Sequence, residues 1–298
     1  MGRTLVVRGI LDGVVSHVVT QVRSRLGERL FARVAGPEGP RRRDRIHGAE
    51  GPRWFAEGRP IRTVHGDASM FVGGLRALLL QSLHPLAMAG VAAHSGFKGD
   101  PWGRLARTSH FVAVTTFGTA ADAERAVARV RAVHETVRGV APDGRPYAAS
   151  DPHLLRWVHV AEIDSFLAAH QRYGAYRLDQ AGRDGYVSDT ARVAEALGVE
   201  DPPRTEAELR AALEDYRSEL HATPAAREAA RFLLLQPPLP LVARVPYGAI
   251  AATAVSLLPL WARRQLWLPY LPVTEAVLVR AAGETVTRTI RWALTAPA

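Results

Sequence analysis

The chain of 298 residues contains no cysteine. This absence excludes disulfides, cysteine-based zinc sites, iron–sulfur clusters, a thiolate-ligated haem and a cysteine nucleophile. A bound metal must therefore be held by histidine or carboxylate side chains. Because 47% of the residues are hydrophobic and 22% are charged, the composition excludes a wholly disordered chain.

Lysine is almost absent as well, since Lys98 is the only lysine among 38 basic residues. The net charge of +9 is thus carried by arginine, and the arginines are spread along the whole chain. Nucleic-acid binding is not expected, because that function favours a basic tail or a stripe interleaved with aromatics. The densest cluster, residues 41–45, is interpreted as part of a solvated loop.

Several common motifs are missing. The chain has no Gly-x-Gly-x-x-Gly after a strand, no phosphate loop, no His-Glu-x-x-His and no Gly-x-Ser-x-Gly, which disfavours nucleotide-binding, zincin and serine-hydrolase classes. No glutamate has a histidine three residues later, which also disfavours a ferritin-like di-iron site.

Convincing period-2 strands are scarce, whereas helix boundaries recur. Asp100-Pro101 and Asp151-Pro152 are typical helix starts, Thr205 with Glu208 forms a capping box, and glycines 118, 139, 174 and 198 indicate helix ends. We predict a single all-α, multi-helix domain with helices near 5–34, 73–94, 101–117, 120–138, 152–173, 189–197, 206–221, 224–236, 247–266 and 273–294.

Two segments bear on location. The N-terminal segment carries Arg3, Arg8 and Asp12 and so lacks an uninterrupted secretory core, which makes the cytoplasm the expected compartment. The most hydrophobic window, residues 245–261, is shorter than the roughly 20 residues of a spanning helix and is interpreted as a buried helix. Peripheral membrane contact is the alternative for both segments.

Two predicted helices place histidines on apolar faces. His134 lies within the stripe formed by Ala123, Val127, Val130 and Val137. Such a histidine is either a core residue bonded to a carbonyl or a metal ligand.

The helix near 152–173 buries His159 one turn from Glu162, either as a self-satisfied pair or as a metal ligand with its orienting group. His153 is expected at the surface and is discounted. The remaining histidines at 17, 47, 65, 170 and 221 are assigned to polar or loop settings.

Two further features favour a ligand site. Pro85 frees the carbonyl of Gln81 in a helix that is apolar nearly all round, so Gln81 and His84 lie either at a satisfied kink or on the wall of a cavity. Farther on, Arg104, Arg107 and Thr108 share a helix face that suits an anionic carboxylate or is simply solvated.

An ordered set of motifs resembles the rubber-oxygenase catalytic domain, a family that includes fungal mpaB oxygenases and latex clearing proteins. The motifs are Leu80-Gln-Ser-Leu-His-Pro85, His94-Ser95, Asp100-Pro-Trp-Gly-Arg-Leu-Ala-Arg-Thr108, Phe117-Gly118, His134-Glu-Thr-Val-Arg-Gly139, Asp143-Gly-Arg-Pro-Tyr147 and Ser150-Asp-Pro-His-Leu-Leu-Arg-Trp-Val-His159. The resemblance covers about residues 45–265, which implies an N-terminal helix and basic loop over 1–44, a catalytic domain over 45–265 and a C-terminal helix over 266–298 packed on the same domain.

The resemblance implies a haem-pocket helical bundle and a haem b cofactor, because latex clearing proteins are haem b dioxygenases that cleave polyisoprene. Their proximal histidine matches His134, and their distal Arg-x-x-Lys-Thr stretch matches Arg104, Arg107 and Thr108. Arg107 replaces the distal lysine and is a poor iron ligand. No acidic residue lies between Ala68 and Gly99 to act as the distal base, although His84 could take that role.

The sequence thus predicts a haem b oxygenase or oxidase that uses dioxygen on an apolar, isoprenoid-like small molecule. His134 is the expected iron ligand, and His159 is a further cofactor-binding candidate. Two alternatives stay open: a non-haem metal site built from His134, His159 and Glu162, and a non-enzymatic protein that binds an apolar ligand or a membrane surface.

Overall fold

The computed structural model describes residues 20–21, 23–28, 31–36, 38–94 and 99–295, except the side chain of Val242. These residues form helices and one two-stranded antiparallel sheet, which confirms the all-α prediction. The helices are α1 (Gly39–Gly48), α2 (Pro60–His65), α3 (Met70–Gln81), α4 (Pro85–His94), α5 (Pro101–Phe117), α6 (Ala120–Thr136), α7 (Pro152–Tyr173), α8 (Gln180–Leu197), α9 (Glu206–Asp215), α10 (Pro224–Leu235), α11 (Leu241–Ser256), α12 (Leu260–Gln265), α13 (Pro272–Thr274) and α14 (Arg280–Leu294). The strands are β1 (Arg138–Val140) and β2 (Pro146–Ala148).

The predicted helix starts are confirmed by side-chain caps. Asp100 accepts a hydrogen bond from the Gly103 amide, Asp151 from the His153 amide and Thr205 from the Glu208 amide. Each cap satisfies one of the amides that a first helical turn leaves without a partner. Gly198 ends α8 in the left-handed region with φ of 103°, where a glycine carries no Cβ penalty.

Several predicted boundaries are wrong. Residues 41–45 are not a loop but lie in α1, whose first turn contains Pro40, a residue preorganised for that position. The predicted helix 73–94 is two helices, and so is 247–266. Helix α8 begins nine residues earlier than 189, and a π-helical segment, Glu275–Val279, joins α13 to α14. Of the predicted helix 5–34, residues 5–19 lie outside the described residues, whereas the described residues from 20 to 34 are helical.

The centre of the molecule is the contact between α3 and α7, along which both helices bury apolar side chains. Trp157 is fully buried and packs with Leu79, Leu80 and Leu83. Arg76 of α3 is also buried, with its Nη1 2.7 Å from Asp164 Oδ2 and 2.6 Å from Ser165 Oγ of α7. A buried arginine of this kind is retained only when its charge and its donors have partners.

The C-terminal third is joined to the rest of the fold by an arginine ion pair. It also exposes several apolar side chains. Arg291 of α14 donates to both carboxylate oxygens of Asp67, at 2.9 and 3.0 Å. The window 245–261 is only partly buried, because Ala254 is enclosed whereas Val245 is 81% exposed. Among the described residues, no single helix is long and apolar enough to span a membrane; α3 and α4 reach that length only as a pair bent by 106°.

Candidate functional site

The bend between α3 and α4 contains His84. Pro85 begins α4, and the carbonyl of Gln81 accepts a hydrogen bond from Trp157 Nε1 at 3.1 Å and from the His84 amide at 3.3 Å. The kink is therefore locally satisfied, as one of the two sequence interpretations proposed. The same bend turns the imidazole of His84 toward α7 and the segment after α9.

The structure brings His84 together with His153 and Glu219, one nitrogen or oxygen atom of each lying within 4.8 Å of the others. Glu219 Oε2 is 2.9 Å from His153 Nε2 and 3.5 Å from His84 Nε2. His84 is 1% exposed, whereas His153 and Glu219 reach the surface. It is the one group of this kind found in the part of the chain that the structure describes.

A tyrosine orients His153. The hydroxyl of the buried Tyr216 donates to the carbonyl oxygen of His153 at 2.8 Å, and His153 Nδ1 lies 3.4 Å from the same hydroxyl oxygen. Because that hydroxyl proton is already committed, the oxygen is an acceptor for an Nδ1 proton. His153 Nε2 faces Glu219 and lies 2.9 and 3.0 Å from its two carboxylate oxygens.

His84 has no such partner. Both of its ring nitrogens are buried, and neither forms a hydrogen bond with a described residue; the 3.5 Å approach to Glu219 is too long for a strong one. A buried polar group left without a partner costs about 1–3 kcal/mol. Burial lowers the pKa of His84 despite the opposing charge of Glu219, so its imidazole is neutral near pH 7 and carries a free lone pair.

A second group occupies a different face of α7. His159 Nε2 is buried without a hydrogen-bond partner among the described residues, and burial lowers the pKa of His159 to about 3. One turn on, burial raises the pKa of Glu162 to about 7. Both side chains are half-buried by surface yet strongly desolvated, a combination expected of groups that line an internal space.

Contacts at both ends of this face direct it toward the helical hairpin α5–α6. At one end Phe166 packs on His65, whose Nδ1 is 2.8 Å from Thr116 Oγ1 of α5. Toward the other end, α6 reaches the end of α8 through a hydrogen bond from Arg131 to the Ala196 carbonyl oxygen. The hairpin packs on α2 and α8 and makes few close approaches to α7.

The hairpin carries the other predicted site residues. His134 of α6 is half-buried, its Nδ1 is buried without a hydrogen-bond partner among the described residues, and burial lowers its pKa. Arg104 is half-buried, and burial together with the charge of Arg107 lowers its pKa. Arg107 pairs with Asp100 at 3.2 Å on the surface, and Thr108 is exposed.

The structure does not gather all of the predicted residues. The ligand atoms of His134, His159 and Glu162 do not come within 4.8 Å of one another, whereas His84 joins two residues that sequence reasoning missed. His153 is exposed as expected, and it lies in this group although sequence reasoning discounts it. His65 and His170, assigned to polar or loop settings, are instead a half-buried helical residue and a fully buried one.

A sequence signal for His153 existed, because Asp151-Pro152 fixes it in the first turn of α7. Glu219 carries no local signal: it follows a short 3₁₀ turn, Tyr216–Ser218, and is positioned by the hydrogen bond from the His221 amide to the Leu83 carbonyl at 2.9 Å.

Comparison with protein families finds one match, the family described as ER-bound oxygenase mpaB/B'/Rubber oxygenase, catalytic domain, over residues 62–292. No curated protein and no solved structure matches the chain. The matched range includes α3, α7, the α5–α6 hairpin and most of α14, and so contains His84, His134, His153 and His159. The chain belongs to the mpaB and rubber oxygenase catalytic-domain family.

Proposed function

We propose that the protein is a haem b-dependent oxygenase or oxidase that acts on an apolar small molecule, with His134 as the iron ligand. The observation that carries the proposal is the buried, unpartnered Nδ1 of His134, in a chain whose family consists of oxygenases. Haem b, when bound, supplies an iron centre that activates dioxygen, which no amino-acid side chain can do.

The donor set on the inner faces of α6 and α7 fits haem better than a non-haem metal. Haem needs only one protein ligand, and His134 supplies a neutral imidazole. A non-haem site built from His134, His159 and Glu162 would need their ligand atoms to move closer together than they are. His159 then takes a supporting place at the cofactor rather than a second coordination bond.

The arginines of α5 provide for negative charge. Arg104 is half-buried beside a second arginine, a setting that favours an anionic partner such as a haem propionate. Arg107 and Thr108 extend this face toward solvent, where they bind the same anion or position the substrate. The role of His84 as a base on the oxygen side stays a prediction.

The interior explains why the substrate should be apolar. Near pH 7 His159 is neutral and Glu162 is only about half ionised, since burial lowers the pKa of His159 to about 3 and raises that of Glu162 to about 7. An apolar molecule enters such surroundings without stripping water from fixed charges. Glu162, half protonated near neutrality, can hold or release a proton there.

The test is the absorption spectrum and iron content of protein produced with haem supplied. The wild type should show a Soret band with about one iron per chain, and His134→Ala should lose both. His110→Ala is the matched control, because His110 is also a half-buried histidine of the hairpin whose pKa burial lowers. A wild-type protein without a Soret band, or a band unchanged in His134→Ala, contradicts the proposal.

Two other outcomes would identify the alternatives. Iron without porphyrin, lost in His159→Ala and in Glu162→Gln, would favour the non-haem site. Protein with neither iron nor haem that floats with liposomes would favour a membrane-surface binding protein. That alternative is supported by the exposed apolar side chains of the C-terminal third, among them Val245, Trp267 and Val273.

A further inference from the structure

We propose that His84, His153 and Glu219 form a second site, separate from His134, that binds one divalent transition-metal ion. Two imidazoles and one carboxylate are a ligand set used by zinc and by non-haem iron(II), and nitrogen donors disfavour magnesium and calcium. The site lies at the meeting point of the α3–α4 bend, the first turn of α7 and the segment after α9.

The distances suit such an ion. Ligand atoms that each lie about 2.0–2.2 Å from a tetrahedral metal are roughly 3.3–3.6 Å apart. Glu219 Oε2 is already 3.5 Å from His84 Nε2 and 2.9 Å from His153 Nε2. Because His153 and Glu219 are at the surface, small side-chain movements can open the shorter distance.

The proton arrangement also points to a cation. His153 Nε2 lies 2.9 Å from Glu219 Oε2, and the Tyr216 hydroxyl oxygen, 3.4 Å from Nδ1, can accept a proton there, which leaves the Nε2 lone pair for a cation. His84 presents another from a buried ring whose nitrogens have no hydrogen-bond partner among the described residues. Three lone pairs converging on one point repel unless a proton or a metal ion lies between them.

A surface ion pair between protonated His153 and Glu219 is the simpler explanation, but it leaves His84 without a partner. A metal ion accounts for all three side chains. The nearby Arg145 does not oppose a cation strongly, because its guanidinium is bonded to Asp143 at 2.7 and 2.9 Å. Since two ligands face solvent, the ion keeps coordination positions open to water or to an oxygen-donor ligand.

The site is rigid on one side and adaptable on the other. Trp157 and Tyr216 enclose His84, with ring centroids 6.2 and 6.4 Å from its ring. The His221 amide fixes the segment of Glu219 to the Leu83 carbonyl. Such support reduces the conformational cost of assembling the ligands.

The experiment uses the full chain after chelator treatment, titrated with Zn²⁺ against a chromophoric competitor. Wild type should bind one equivalent, and His153→Asn and Glu219→Gln should each weaken binding at least ~100-fold, since even outer partners of metal ligands contribute about 10–100-fold. Both substitutions are at exposed positions, and circular dichroism checks that the variants fold. His221→Asn and Glu214→Gln are matched controls, because both residues are exposed neighbours outside the ligand set.

Anaerobic titration with Fe²⁺ compares the affinities of the wild type for the two ions. Binding of either ion that is tighter in the wild type than in His153→Asn and Glu219→Gln supports the proposal. The His134→Ala variant should bind Zn²⁺ as the wild type does, which separates this site from the haem proposal. Absence of one saturable equivalent in the wild type, or Zn²⁺ affinity unchanged in both His153→Asn and Glu219→Gln, would overturn it.

Discussion

Helix α7 carries two histidine groups that differ in how they are assembled. His153, near its start, meets His84 and Glu219 from segments far away in sequence, and the ligand atoms are already close together. His159, farther along, lies one turn from Glu162 and has a buried nitrogen that no described residue binds. The first group already has three possible ligand atoms close together, whereas His134, His159 and Glu162 do not come within 4.8 Å of one another.

In both groups a buried imidazole nitrogen has no hydrogen-bond partner among the described residues, but the surroundings of that nitrogen differ. His84 has two further possible ligands, His153 and Glu219, within 4.8 Å, which is why we propose a single ion there. His134 and His159 do not form such a group with Glu162, which is why we propose a larger cofactor for them.

The largest effect should come from Trp157, which supports the first group. Trp157→Ala removes a fully buried indole and its hydrogen bond to the Gln81 carbonyl, and should lower the free energy of unfolding by about 3–5 kcal/mol. Urea denaturation measures this loss. Trp292→Ala, at a position 40% exposed, is the control and should cost far less; equal losses would show that Trp157 does not hold the α3–α4 bend.

The second prediction concerns Glu162, which belongs to the group that contains His159. Its folded pKa of about 7 lies above the ordinary 4.5, so the folded state holds the proton more tightly than the unfolded state. Stability from this group is therefore present below pH 4.5 and is lost as pH rises through 7, by about 3 kcal/mol at 1.36 kcal/mol per pKa unit.

Glu162→Gln should remove this dependence. Urea denaturation measures the free energy of unfolding of both proteins. The value for the variant minus that for the wild type should be higher at pH 8 than at pH 5. The difference between the two proteins isolates Glu162 from the opposing dependence of His159, whose pKa is lowered. A stability difference that is the same at both pH values would contradict a desolvated carboxyl.

The smallest effect should come from the hydroxyl of Tyr216. Tyr216→Phe removes the acceptor for the Nδ1 proton of His153 and should weaken Zn²⁺ binding about 10-fold, as expected for a group that orients a ligand. Competition titration measures the change. Tyr186→Phe removes a buried hydroxyl that lies 3.3 Å from His65 Nε2, outside the group of His84, His153 and Glu219, and should leave Zn²⁺ affinity unchanged. Equal loss of Zn²⁺ affinity in the two variants would contradict an orienting role for Tyr216.

Local signals predicted much of the fold and singled out one residue, His84, of the three that the structure groups together. Asp100, Asp151 and Thr205 mark helix starts because a cap depends on residues two or three positions apart. The α1 helix was missed since residues 41–45 were interpreted as part of a solvated loop. The Asp143-Gly144 turn, with φ of 85° at Gly144, is a recognisable hairpin signal that went unused.

What the sequence could not supply is convergence between distant segments. His84 was singled out from Pro85, a neighbouring residue, but its closeness to Glu219 depends on how α3, α7 and the segment after α9 pack. Arginine ion pairs show the same limit: Arg76 pairs with Asp164, and Arg291 pairs with Asp67, each from a different part of the sequence. Periodicity places a residue on a face and does not say what lies opposite.

The most direct test of two separate sites is a crossed measurement on haem-loaded protein, in which Soret absorbance and Zn²⁺ binding are read for His134→Ala and Glu219→Gln. We predict that His134→Ala loses the Soret band and binds one Zn²⁺, whereas Glu219→Gln keeps the band and loses Zn²⁺ binding. Loss of both properties in either folded variant, or of neither in both, would contradict the account.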